Sequence, residues 1–202
     1  MNSQIISLSL SSPLLEAPTL AGKLAVLTPD VPLAAHSLGN LNLLQHPLGL
    51  FCSSKAPASI ILHIHDLAQR WRVEGPMVIS GFHSPVEQEA LAVLLRGPQP
   101  VIICPARSLV GIRIKPEYVK PLEEERLLLL SAFPESVRRV TTETAHRRNR
   151  FVAMLADQVL IAHAHPGSKT AALAQHLAEQ GRPVFTLDHP ANEHLGLPVY
   201  GL

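Results

Sequence analysis

The segment at residues 166–171 reads Pro-Gly-Ser-Lys-Thr-Ala and follows a short apolar run. This order predicts a buried strand, a tight turn and the first turn of a helix. Such a turn presents backbone N–H groups and the positive end of the helix dipole to an anion. We therefore predict that Gly167, Ser168, Lys169 and Thr170 bind a phosphate group. The alternative is an ordinary turn that opens a helix.

Arginines are concentrated upstream of this turn, at Arg138, Arg139, Arg147, Arg148 and Arg150. Guanidinium groups pair with phosphate oxygens, and clustered cations release counterions when they meet a polyanion. The three arginines within residues 147–150 are therefore predicted phosphate ligands. The alternative is a solvated helix face with ion pairs to Glu135 and Glu143.

Two earlier loops carry residues of the same kind. Ser53, Ser54 and Lys55 follow one short apolar run, and Gly81 follows the next. Hydroxyl and ammonium groups bind anions, and a glycine lets a ligand approach the backbone closely. We predict that all four residues contribute to the same anion site.

Short apolar runs alternate with helical patterns from residue 46 onward. Strands are predicted near residues 48–52, 77–80, 101–104, 127–130, 159–162 and 184–187, and helices near 58–72, 85–95, 142–155 and 170–179. This alternation is typical of parallel strands joined by right-handed crossovers. The sequence predicts an α/β fold with a Rossmann-like, doubly wound, mainly parallel sheet and helices on both faces.

In sheets of this type, ligands bind beyond the carboxyl ends of the strands. Five predicted loops with serine, glycine, lysine or arginine lie there, at residues 53–57, 81–85, 104–107, 131–134 and 163–169. The predicted fold therefore brings the separate anion-binding residues together. Residues 1–45 show no clear periodicity, and we predict that they form an N-terminal extension packed on the main domain, residues 46–202.

The composition is typical of a compact globular protein. Of 202 residues, 47% are hydrophobic and 16% are charged, and the net charge is +1, so nucleic-acid affinity would require a local basic patch. No run of about 18 apolar residues suggests a membrane span, and the N-terminus lacks the pattern of a signal peptide. Cys52 and Cys104 each end an apolar run and are predicted to be buried and reduced. We expect a cytoplasmic protein.

Three other chemistries fit the sequence less well. The Walker pattern requires a glycine next to the lysine, but Ser168 separates Gly167 from Lys169. A histidine pair at residues 163 and 165 could share one face of a strand end, but no cysteine or carboxylate cluster completes a metal site. His83 or Glu87 could act as an acid–base residue. We predict no metal and no cofactor, and leave catalysis open.

With these residues in place, the chain resembles the DNA-processing protein A (DprA/Smf) family, within the Rossmann-like (SLOG-type) nucleotide-binding proteins. Five segments in matching order carry the resemblance. They are residues 51–55, similar to the family's "VGSR" turn; 80–91, similar to "SGxAxGID…AL"; 148–150, which match "RNR"; 167–171, similar to "SGSLxTA"; and 182–185, similar to "GRxVFxxP". Residues 83–85 depart from the Gly-Ile-Asp piece of the second segment. The "PGGxGTxxE" motif of the related phosphoribohydrolases is not matched.

The resemblance implies a Rossmann-like fold, a homodimer, and binding of single-stranded DNA that assists the loading of a recombinase. Lys55, Arg148, Arg150 and Lys169 would contact DNA phosphates. Aromatic residues make up only 4% of the chain, which leaves few platforms for base stacking. Two alternatives stay open: a binder or sensor of a small nucleotide in the same cleft, and a nucleotide-processing enzyme.

Overall fold

The computed structural model describes residues 6–9 and 34–201. The strands of this region are β1 (Ile6–Ser9), β2 (Ala34–Gly39), β3 (Leu48–Cys52), β4 (Val78–Ser80), β5 (Val101–Ile103), β6 (Leu127–Ser131), β7 (Gln158–His163) and β8 (Val184–Thr186). Its α-helices are α1 (Ala58–Trp71), α2 (Pro85–Leu94), α3 (Pro116–Glu123), α4 (Thr142–Leu155) and α5 (Lys169–Glu179), and 3-10 helices cover Leu41–Leu44 and Pro190–Leu195. None of these helices is long and apolar enough to cross a membrane.

The strands of the described region form one sheet in the order β1-β2-β6-β5-β4-β3-β7-β8. The strands from β6 to β8 in that order are parallel, whereas β1 and β2 run antiparallel at one edge. The chain builds the sheet outward from β3 in both directions, through β4 on one side and β7 on the other. The predicted Rossmann-like, doubly wound, mainly parallel sheet is confirmed.

Each central strand places alternate side chains in two separate cores. In β6, Leu127 and Leu129 pack on one face, while Leu128 and Leu130 pack on the other. Helices α1, α2 and α3 cover the first face, and α4 and α5 cover the second. Helices therefore lie on both faces of the sheet, as predicted.

Polar side chains determine where three helices begin. Ser84 accepts a hydrogen bond from Glu87 N at 3.3 Å at the start of α2, where Pro85 occupies the first turn. Thr141 caps α4 and Ser168 caps α5 in the same way. Caps of this kind satisfy N–H groups that have no partner within the helix. These local signals explain why the observed bounds of α2, α4 and α5 agree closely with the sequence prediction.

Part of the predicted N-terminal extension belongs to the sheet. Strand β2 pairs with β6, from His36 opposite Ser131 to Gly39 opposite Leu128, and β1 pairs with β2. The rest of the extension, residues 1–5 and 10–33, lies outside the described residues. The division at residue 46 into an extension and a main domain stays a prediction.

Arg182, in the loop before β8, holds the C-terminal end of α4. Its Nη2 donates hydrogen bonds to the carbonyl groups of Ala153 at 3.0 Å and Ala156 at 2.6 Å, and its charge opposes the negative pole of the helix. We expect Arg182→Met to lower the free energy of unfolding by about 2 kcal/mol, measured by urea denaturation. The control Arg138→Met removes an exposed ion pair to Glu135 and should change stability by less than about 0.5 kcal/mol. Equal losses would contradict the role of Arg182.

Candidate functional site

A cleft of about 530 Å³ opens at the carboxyl ends of β3, β4 and β7. Residues from four segments line it, within 52–55, 83–87, 145–149 and 165–170. Three of the five predicted ligand loops therefore meet here. The cleft lies between β3 and β7, where the winding of the sheet reverses, which is the place where doubly wound sheets bind ligands.

Ser53 joins the two loops on either side of this reversal. Its N–H donates to the His163 carbonyl at 2.8 Å, and its hydroxyl accepts a hydrogen bond from His165 N at 3.1 Å. The same hydroxyl donates to Ser168 Oγ at 3.3 Å. Ser53 is buried, so it fixes the turn after β3 against the turn after β7.

The first turn of α5 offers unpaired N–H groups to the cleft. Ser168 Oγ accepts from Ala171 N at 3.1 Å, which satisfies one donor. The N–H groups of Lys169 and Thr170 have no acceptor within the part of the chain that the structure describes. Gly167 makes the preceding turn with a φ of 73°, a conformation that favours glycine. The helix therefore presents two donors and its positive pole to an anion.

Arg148 lies buried in the floor of the cleft, with 5% of its surface exposed. Its Nη1 donates to the Cys104 carbonyl at 3.1 Å, and its Nε donates to Asn149 Oδ1 at 2.7 Å. A Cβ at Gly81 would lie 1.5 Å from Nη1, so the guanidinium fills the space that a side chain there would need. Burial lowers the pKa of Arg148, and the Glu87 carboxylate opposes that shift.

Glu87 is also buried, and its carboxylate is fully engaged by the backbone. Oε1 accepts from Cys52 N at 2.9 Å, while Oε2 accepts from His83 N at 2.8 Å and from Ser84 N at 3.2 Å. These bonds fix the loop after β4 to the end of β3. The arrangement favours a structural role for Glu87 over the acid–base role that the sequence left open.

The rim of the cleft is electropositive. Lys55 and Lys169, here called the rim lysines, are exposed and form no ion pair among the described residues. Burial lowers the pKa of His146, and the charges of Arg150 and Lys169 lower it further. The imidazole therefore experiences a positive potential at this rim, as expected for a site that receives an anion.

A known family covers most of the sequence. The profile of the family described as DNA recombination-mediator protein A matches residues 17–196. The chain belongs to this family. The resemblance to DprA that the five sequence segments indicated is therefore confirmed, while no curated protein matches the chain.

Two solved DprA structures share the fold. DNA processing protein A from Streptococcus pneumoniae gives a TM-score of 0.76 at 18% identity, over 98% of this chain and 71% of that chain. The Helicobacter pylori protein, described for its single-stranded DNA binding mode, gives 0.69 at 20% identity, over 95% of this chain and 84% of that chain. The molybdenum cofactor carrier protein of Chlamydomonas reinhardtii gives 0.50 at 13% identity, over 77% and 89%. These likenesses show a common fold.

Most of the predicted site residues of this DprA-family chain line the cleft, namely Ser53, Ser54, Lys55, Arg148, Ser168, Lys169 and Thr170. Gly81 packs against Arg148 instead, and Gly167 shapes the turn before α5. Arg147 is outside the lining, with its guanidinium 5.5 Å from the centre of the Phe133 ring. Arg150 is exposed and also outside the lining. That Gly81, Gly167, Arg147 and Arg150 contribute to ligand binding stays a prediction.

The cleft is also lined by residues that the sequence analysis did not assign to phosphate binding, namely Cys52, His83, Ser84, Glu87, Ala145, Asn149 and His165. Asn149 stands inside the RNR match, and His165 stands three residues before Ser168, so proximity to predicted ligands was the available signal. No group of three or more metal-ligating side chains occurs among the described residues.

Gly81→Ala should be costly only while Arg148 is present, because the added Cβ would overlap the guanidinium. We expect Gly81→Ala to lower the free energy of unfolding by about 2 kcal/mol. In an Arg148→Ala background the same change should cost less than about 0.5 kcal/mol. Urea denaturation of both single variants and the double variant measures this coupling. Additive losses would show that the guanidinium does not occupy this space.

Because two thiols are buried, the free energy of unfolding should change with pH in the alkaline range. Burial raises the pKa of Cys52 and of Cys104 to about 12, from an ordinary value of 9.0. The unfolded chain releases these protons at lower pH than the folded chain, so stability falls as the pH rises from about 9 towards 12. We expect a loss of about 3 kcal/mol between about pH 8 and pH 10, measured by urea denaturation. An equal loss in Cys52→Ala/Cys104→Ala would assign the dependence to other groups.

Proposed function

We propose that the chain binds single-stranded DNA, with the cleft as its phosphate-binding site. The observation that carries this proposal is the convergence of the two rim lysines, the buried Arg148 and the N-terminus of α5 on one cavity. Membership of the DNA recombination-mediator family and the single-stranded DNA binding described for the Helicobacter pylori protein support DNA as the anion.

A DNA phosphate group fits the donors that the cleft leaves unpaired. The N–H groups of Lys169 and Thr170 would donate to its oxygens, while the ammonium groups of Lys55 and Lys169 supply charge. Arg148 keeps one amino group, Nη2, without an acceptor among the described residues, so it can donate from the floor. Because these contacts all go to phosphate, they would not distinguish one base from another.

Binding accounts for the cleft better than catalysis does. The carboxylate of Glu87 accepts three backbone hydrogen bonds, so it is committed to holding two loops together. His83 lines the cleft, but no side chain in the described region orients its ring. A general acid or base needs such positioning within reach of the reacting group. The nucleotide-processing alternative therefore has less support than simple binding.

The cellular setting forms part of the same proposal. We propose that the chain acts in DNA processing and recombination in the cytoplasm, as a homodimer that presents single-stranded DNA to a recombinase. The family resemblance of the sequence supports the recombinase and the homodimer. The composition supports the cytoplasmic location.

Fluorescence anisotropy of a labelled single-stranded oligonucleotide, titrated at several salt concentrations, tests the DNA proposal. We expect Lys55→Ala and Lys169→Ala each to weaken binding about fivefold, and each to reduce the dependence of log K on log salt by about 0.7. The control is Lys120→Ala. This change removes an exposed lysine of α3 that is paired with Glu124. It should leave both the affinity and the salt dependence unchanged.

Two outcomes would overturn the DNA proposal. One is the absence of binding at low salt, and the other is an equal loss of affinity in Lys120→Ala. Competition by an unlabelled deoxynucleoside monophosphate distinguishes DNA binding from the alternative, binding of a small nucleotide. If the monophosphate displaces the oligonucleotide at a comparable concentration, the cleft is a nucleotide pocket rather than a site on a DNA path.

A further inference from the structure

Two adjoining cavities lie between helices α2 and α3. The first, of about 420 Å³, is lined by residues within 82–96 and 115–118, and the second, of about 410 Å³, by residues within 96–98 and 120–126. Arg96, just beyond the end of α2, lines both cavities. They therefore form one groove, here called the α2–α3 groove, which shares no lining residue with the cleft.

The first cavity is the apolar end of this groove. Phe82, Leu91 and Tyr118 line it and are buried, and Ala92 and Leu95 add further apolar surface. The φ of Phe82 is 46°, in the left-handed region that favours glycine. A strained residue of this kind persists only where its surroundings hold it in place, and the Phe82 ring is packed in the core beneath α2. The apolar end is therefore preformed and can bury a side chain of a partner.

The groove as a whole is electropositive. Its lining contains more cations than carboxylates, namely Arg96, Lys115, Lys120 and Arg126 against Glu117 and Glu124. Among the described residues, ion pairs to these two carboxylates involve every one of the four cations except Arg96. The groove therefore keeps a net positive charge, which is complementary to an acidic ligand.

Arg96 is the cation that is best placed to receive a carboxylate. Its Nε donates to the Ala92 carbonyl at 3.0 Å, which fixes the exposed side chain against the last turn of α2. Its two Nη groups have no acceptor in the described part of the chain, so they can donate to a carboxylate in the bidentate geometry that guanidinium groups favour. A carboxylate at Arg96 would lie where the apolar cavity meets the basic cavity.

We propose that the α2–α3 groove binds an acidic peptide segment of a partner protein. One aromatic or large aliphatic side chain of the peptide occupies the first cavity, and neighbouring carboxylates bind Arg96 and the cations of the second cavity. This interaction is separate from DNA binding and goes beyond the proposed function. The small net charge of the groove matches a few carboxylates better than a DNA strand, which carries one charge per nucleotide.

Fluorescence anisotropy of a synthetic peptide tests the groove. The probe has four aspartates, a glycine and a phenylalanine, with a dye at its N-terminus and an amide at its C-terminus. We expect replacement of the phenylalanine by serine to weaken binding about tenfold, because the ring no longer buries its surface. Replacement of the aspartates by asparagines should weaken binding about tenfold and remove its salt dependence. No binding of the probe, or equal binding of the serine peptide, would overturn the proposal.

A charge placed in the groove tests its location. Ala92→Glu should weaken binding of the probe about tenfold, because the new carboxylate lies one helical turn before Arg96, pairs with it and repels the aspartates. The matched control is Ala178→Glu, which adds the same charge at an exposed alanine of α5 outside the groove. It should bind the probe as the unmodified protein does. An equal loss in both variants would place the peptide elsewhere and overturn the proposal.

An unlabelled single-stranded oligonucleotide separates this site from the cleft. We expect the oligonucleotide to leave the probe bound at concentrations that saturate the cleft, and Ala92→Glu to leave the affinity for the oligonucleotide unchanged. Displacement of the probe would make the groove a nucleic-acid surface and overturn the peptide proposal. The two proposals fail separately: absence of oligonucleotide binding refutes the proposed function alone, whereas absence of probe binding refutes the groove alone.

Discussion

The burial of Arg148 is the constraint on which the cleft depends. A guanidinium with so little exposure must keep its charge compensated, because an uncompensated buried ion costs several kcal/mol. The Cys104 carbonyl, Asn149 Oδ1 and the nearby Glu87 carboxylate provide that compensation, and a glycine at position 81 leaves the space for it. One side chain of α4 thus determines the arrangement of the loop after β4 and the end of β5.

The same polar network extends to the reversal in the sheet. Glu87 binds the backbone of Cys52, the last residue of β3, and Ser53 binds the turn after β7 through His163, His165 and Ser168. The loops around the cleft are therefore held to one another by hydrogen bonds, several of which involve the buried side chains of Glu87 and Ser53. Because such bonds are directional, they keep the N-terminus of α5 and the rim lysines in place before a ligand arrives.

The strands and helices could be predicted because their signals are local. Apolar runs of strand length alternate with capped helices, and the bounds of α4 follow from residues within one turn of its ends. The contacts of the site could not be predicted, because they join loops far apart in sequence. A glycine after a strand is equally consistent with a close ligand and with a packed side chain, and at Gly81 the structure shows the guanidinium of Arg148. The side chains of Arg147 and Arg148 also point in different directions, because successive side chains on a helix are about 100° apart around its axis. Arg147 lies over the Phe133 ring, whereas Arg148 lines the cleft.

A net charge of +1 does not mean that the charges are evenly paired over the protein. Helix α3 packs on β6, three strands away from β3. At this helix and its C-terminal end, Glu117 pairs with Lys115, and Glu124 pairs with Lys120 and Arg126. The rim lysines have no such partners within the described region. Beyond a Debye length of about 8 Å, exposed charges at α3 contribute little to the potential at the cleft. A polyanion that approaches this nearly neutral protein therefore meets a positive potential at the edge of the sheet where β3 and β7 end, and that potential can orient the strand before contact.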